Sequence, residues 1–205
     1  MIDNEKKIKQ WIRIRSFFYL LFIILYLIPI TIVFSNGFAN VFHFIRRIAG
    51  LTGLTSLFIA ILLSLLVKES KKMFGVYYLR IHHFFSIVGL ILISLHPVIM
   101  AIDFGTTSIF IPHFNSWNGF LTNAGRPALY LIYMAVIAAL LRKNIAKYWK
   151  YIHSLLYPAF LLAAIHGILS GSDLDNSIMY FLFIAMISVV SIIFFYKRYQ
   201  NMKNA

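Results

Sequence analysis

Six long stretches of this chain carry no Lys, Arg, Asp or Glu at all: residues 16–34, 48–67, 81–102, 127–141, 151–170 and 177–196. A helix needs about 20 mostly apolar residues to cross the hydrocarbon core of a bilayer. With no water there, each stretch must satisfy its own backbone hydrogen bonds, which selects helix over an open strand. The period-two alternation of a membrane barrel is absent. The fourth stretch is the shortest, and Arg126 and Arg142 beside it can snorkel to extend it. The expected fold is an all-α integral membrane protein, a single-domain bundle of six transmembrane helices. Composition agrees: 61% of the residues are hydrophobic and 12% charged, against about 25% charged in a soluble domain. A soluble enzyme and a disordered tail are excluded.

The net charge of +13 follows topology. Sixteen basic residues lie in the N-terminal tail, 68–80, 142–150 and the C-terminal tail, and only Arg46, Arg47 and Arg126 lie on the other side. The positive-inside rule puts both termini in the cytoplasm. The excess of Lys and Arg then needs no nucleic acid to explain it. The basic start resembles a signal peptide, but the apolar stretch after it is longer than the 7–15 residues of such a signal and no small-x-small cleavage site follows. It is read as a retained first span. The segment 103–126 holds Phe110, Phe114, Trp117 and Phe120, and is expected to lie at the outer membrane interface. Lys-, Ile- and Asn-rich usage points to an AT-rich bacterial genome, and so to a multi-pass protein of a bacterial cell membrane.

The informative residues are histidines within the spans. Ionisable groups inside a membrane are costly and mark sites. His82 and His96 lie on the third span, His153 and His166 on the fifth, and both spans run the same way. The separations are 14 and 13 residues, about 21 and 20 Å along a helix. Two helices thus offer two histidine pairs at two depths. Fourteen residues return to nearly the same helix face, which favours His82 over His83 as the partner position. Thirteen do not, but Pro158 lies between His153 and His166 and can re-phase the helix. Paired neutral imidazoles can hold a six-coordinate haem iron. The chain has no cysteine, and this scheme needs none. The competing explanation, histidines merely hydrogen-bonded between helices, suits one residue better than four at matched depths. His83 is read as lying behind the ligands or facing headgroups, and His43 and His113 as outer-loop residues.

The segment LRIHHFFSIVGLILISLHPVIM resembles the third span of the ferric reductase-like transmembrane domain family. WKYIHSLLYPAFLLAAIHGILSGSD resembles its fifth span, and RRIAGLTGL the start of its second. This family includes the membrane part of NADPH oxidases and the haem-binding subunit of a periplasmic methionine sulfoxide reductase system. The resemblance implies two b-type haems, with His82 paired to His153 and His96 to His166. Electrons would pass from a cytoplasmic flavin or from quinol to an outer acceptor such as ferric iron, dioxygen or an extracytoplasmic redox protein. The nine residues after Tyr196 leave no room for a nucleotide-binding domain. A separate flavoprotein carrying FMN or FAD, or the quinol pool, is therefore expected to be the donor.

Haem propionates attract cations, and Arg46, Arg47 and Arg126 are the candidates on the outer side, with Arg80 on the inner. Headgroup contact is the alternative for each. Ser86, Ser94, Ser154 or backbone carbonyls are the candidate partners of the second imidazole nitrogens. Gly50, Gly53, Gly89 and Gly167 are read first as helix-packing residues. Asp173 and Asp175 form an acidic spot expected in a solvated loop, with cation capture as the other reading. The leading expectation is transmembrane electron transfer, with a haem subunit of an extracytoplasmic reductase as its closest rival. The rival of another class is a cofactor-free transporter or assembly factor. A transporter should show broken helices or inverted repeats, of which only the prolines Pro29, Pro97 and Pro158 give any sign.

Overall fold

The computed structural model describes residues 2–203, and no strand occurs among them. The helices are α1 (Ile2–Ser35), α2 (Val41–Leu65), α3 (Val67–Phe74), α4 (Tyr78–Phe104), α5 (Trp117–Thr122), α6 (Gly125–Leu140), α7 (Trp149–His153), α8 (Leu156–Ser170) and α9 (Ser177–Lys203). Five stretches are long and apolar enough to cross a membrane: Ile12–Ser35, Val41–Leu65, Val67–Phe104, Trp149–Ser170 and Ser177–Gln200. The fourth expected span is α6, with 16 residues. At 1.5 Å per residue it reaches about 24 Å, short of a hydrocarbon core of about 30 Å.

Helix α2 is the axis of the bundle. Its most apolar window is 72% buried, whereas no other membrane-length helix exceeds 28%. The remaining helices pack around it and turn apolar faces such as those of Ile23, Ile87, Phe181 and Ile192 outward. That is the pattern of a bundle surrounded by lipid. Helix α4 packs antiparallel along α2, and small residues set the distance. A Cβ on Gly53 would lie 3.0 Å from the backbone nitrogen of Ile93, and one on Gly89 would lie 2.9 Å from Leu57 Cδ2.

The helix boundaries differ from expectation in two informative places. The second helix starts at Val41 rather than near residue 48, because Asn40 caps it: its side chain accepts from the His43 amide at 2.7 Å. His43, Arg46 and Arg47 therefore sit in the first two turns of α2, not in a loop. The fifth expected span is interrupted at Ser154–Leu155, between α7 and α8. Pro158 has no N–H to offer the Ser154 carbonyl, which accepts instead from the Tyr157 amide at 3.1 Å. The Leu155 amide likewise reaches back three residues, to Ile152 O at 3.0 Å. Such tight steps turn about 20° further per residue than an α-helix does. The break thus turns His153 toward the face of His166.

The α2–α4 contact gives the first test. Gly53→Leu forces a side chain into the Ile93 backbone and should cost about 1–3 kcal/mol of stability, read as an earlier unfolding midpoint on titration of micelles with SDS. Leucine at exposed Ile87, as the control, should leave the midpoint unmoved.

Candidate paired-histidine site

All four expected histidines are held in one way, by a backbone carbonyl of the neighbouring helix. His82 Nδ1 is 3.0 Å from Ala60 O and His96 Nδ1 is 2.7 Å from Arg46 O, both carbonyls belonging to α2. His153 Nδ1 is 3.0 Å from Ala135 O of α6, and His166 Nδ1 is 2.6 Å from Thr122 O at the end of α5. A carbonyl only accepts, so each Nδ1 carries a proton, and in the neutral ring Nε2 keeps its lone pair. This is the tautomer that a metal-ligating histidine needs when it binds through Nε2.

The spacings match across each helix pair. Arg46 to Ala60 is 14 residues, as is His82 to His96, while Thr122 to Ala135 is 13, as is His153 to His166. Antiparallel neighbours with equal rise place both bonds at the same two levels. The 13-residue spacing on the fifth span is therefore in register with its own partner. His96 and His166 line one cavity, and His82 and His153 stand 14 and 13 residues before them. The result is two tiers, His82 with His153 and His96 with His166.

Local sequence makes these carbonyls reachable. A helical side chain leans over the turn before it, so residue i+4 guards the carbonyl of residue i. At Arg46, Ala60 and Ala135 the guarding residues are Gly50, Ser64 and Ala139. A Cβ on Gly50 would lie 2.8 Å from His96 Nδ1. Thr122 ends its helix, so its carbonyl is spare, and it also accepts from Ser170 Oγ at 2.7 Å. A Cβ on Gly125 would lie 2.5 Å from His166 Cδ2. Gly50 is thus a ring-seating residue rather than a plain packing one. Gly125 has the same role and was not among the expected residues. Gly53, Gly89 and Gly167 do serve packing, Gly167 against Phe183. The serines are not partners of the rings: Ser86 donates to His82 O at 2.8 Å, Ser94 to Leu90 O at 2.6 Å and Ser154 to Tyr151 O at 2.6 Å, each within its own helix turn.

The His96–His166 tier lines a cavity of about 260 Å³, walled mostly by apolar groups including Leu54, Ile93, Met100 and Leu129. That is somewhat below the range of cofactor pockets, about 300 to 1,000 Å³. Arg46, Arg47 and Arg126 also line it. Arg47, however, is spent inside the chain. Its Nε donates to Asp173 Oδ2 at 2.7 Å, its Nη2 to Asp173 Oδ1, and its Nη1 to Gly37 O at 2.5 Å. Asp173 is 2% exposed, so the expected solvated loop is corrected: only Asp175 of the two is open to solvent. Arg46 pairs with Asp103 at 2.9 Å and stacks over Phe104. Arg126 donates to Ser108 O at 3.2 Å and Ile111 O at 2.7 Å. Arg80 lies over Tyr77, 5.5 Å from the ring centre. His43 lines the cavity, His113 is exposed, and His83 sits with its ring centre 5.7 Å from that of His82. Among the described residues no three His, Asp or Glu side chains converge on one point; the bundle presents imidazoles in twos.

The tautomer is measurable. Histidine ¹⁵N NMR of the cofactor-free protein at neutral pH should show Nδ1 protonated and Nε2 bare at His82, His96, His153 and His166. Gly50→Leu should remove that signature at His96 and leave it at His82. No family model, curated protein or solved structure matches the chain.

Proposed function

We propose that the protein carries electrons across a cell membrane through two b-type haems, each held by one tier of histidines. In this reading it spans the membrane six times, with α6 completed by snorkelling arginines and both termini in the cytoplasm. The observation that carries the proposal is the common setting of four imidazoles: two levels, two facing helices, and every Nε2 left without a protein partner. No side-chain nitrogen or oxygen among the described residues is both buried and unpartnered, so these Nε2 atoms open on free space.

The residues present fit such a group. Donors are neutral imidazoles in pairs, the tier at His96–His166 borders an apolar cavity, and glycines stand where a side chain would push either ring aside. Bound there, a haem would take up and release one electron at a time. The chain's own part is to aim four lone pairs, lock the rings through Ala60, Arg46, Ala135 and Thr122 carbonyls, and keep water out with the walls of α2, α4, α6 and α8. Stronger hydrogen bonding at Nδ1 makes an imidazole a more basic ligand, and the bonds are shorter at His96 and His166 than at His82 and His153. The donor is a cytoplasmic flavoprotein or membrane quinol. The acceptor is ferric iron or an extracytoplasmic redox protein, as in the ferric reductase-like proteins that the histidine segments resemble.

Protein purified from haem-replete cells should be red, with dithionite-reduced bands of low-spin haem b. His82→Ala and His153→Ala should each lose the same half of the absorbance, and His96→Ala and His166→Ala the other half. Colourless wild-type protein, or loss of different haems by the two members of a tier, would overturn the reading.

A further inference from the structure

Seven residues after each histidine of the upper tier stands an aspartate: Asp103 after His96 and Asp173 after His166. Both aspartates are claimed by one arginine doublet on α2. Arg46 takes Asp103 at 2.9 Å, and Arg47 takes Asp173 through two nitrogens. The pairing is reinforced from the α1–α2 junction, where Asn36 donates to Asp173 Oδ1 at 3.2 Å and Asn40 reaches Asp103 Oδ1 at 3.5 Å. All four charged side chains are shielded, with 19% and 14% of the first pair and 9% and 3% of the second exposed. The carbonyl of Arg46 also holds the His96 ring at 2.7 Å. On the other side the Gly171 amide closes α8 onto Gly167 O at 2.8 Å, so a short, tight run leads from His166 to Asp173.

We infer that Arg46 and Arg47 are positioning residues for the His96–His166 pair: a double ion-pair clamp that fixes α4 and the end of α8 to the same turn of α2 and so sets the separation of the two imidazoles. The inference rests on the paired-histidine reading for its functional meaning. It gives both arginines carboxylate partners from the chain itself, beside their expected place as candidates for haem propionates. Nothing equivalent ties the His82–His153 tier, whose rings are held by the Ala60 and Ala135 carbonyls alone among the ion pairs and hydrogen bonds of the described residues.

The test uses the full chain, which has no native cysteine. Spin labels at Thr107→Cys and Ser177→Cys, just beyond the two aspartates, report the distance between the clamped ends by pulsed dipolar EPR with or without haem. The parent should give a narrow distribution and two low-spin haem signals. Asp103→Asn and Asp173→Asn should each broaden the distribution and shift or abolish one haem signal, always the one lost in His96→Ala. The exchange Arg47→Asp with Asp173→Arg should restore both, and it decides the matter if the single variants fail to fold. Unchanged distances, broadened distances with both haem signals unmoved, or an exchange variant that restores neither would overturn the clamp. Broadening by Asp103→Asn and Asp173→Asn, where the parent is narrow but binds no haem, would uphold the clamp and sink the haem reading instead.

Discussion

A single kind of bond organises the bundle, the hydrogen bond from an imidazole Nδ1 to a carbonyl on the adjacent antiparallel helix. It occurs four times, at 2.6 to 3.0 Å. Each is worth only about 1 kcal/mol net, so its weight lies in orientation rather than stability. Three of the four carbonyls already serve their own helix, which means that the ring must approach past the guarding residue four positions on. Gly50, Ser64 and Ala139 leave that approach open. Packing geometry, ring orientation and tautomer are thus one constraint seen at three scales.

The two tiers are not equivalent. At one level the rings sit beside a cavity, two ion pairs and the Arg126 contacts to Ser108 and Ile111. At the other, Tyr77, Tyr148 and Tyr151 are exposed, with Arg80 over Tyr77 and Lys147 over Tyr148. Such aromatic–cation pairs suit a headgroup layer. One end of the bundle is therefore cross-braced by charge, while the other is anchored to its surroundings.

The long apolar helices were readable because hydropathy is a one-residue property that needs no neighbours. Helix starts were less so: charges at Arg46 and Arg47 suggested a boundary, while the Asn40 cap, visible as a residue type, was the better signal. The choice of His82 over His83 followed from helical phase, and the structure gives His82, not His83, a carbonyl partner on α2. The partners themselves were hidden, since a backbone carbonyl has no letter in the sequence. A small residue at the fourth position after three of the carbonyls, at Gly50, Ser64 and Ala139, is the trace they leave. Gly125 escaped because it lies just outside the apolar stretch, and the burial of Asp173 because its arginine is 126 residues away.

The matched spacings bind chain lengths together. Removing one residue between Thr122 and Ala135 would draw the second carbonyl about 1.5 Å along the axis and swing it about 100° around α6, out of reach of His153. The loss could be made good only by a matching deletion between His153 and His166. Substitutions in the lipid-facing walls are free of this rule, but insertions and deletions are not. Through long divergence the hairpins can thus change almost every letter of their outer faces while keeping two fixed rulers, one of 14 residues and one of 13.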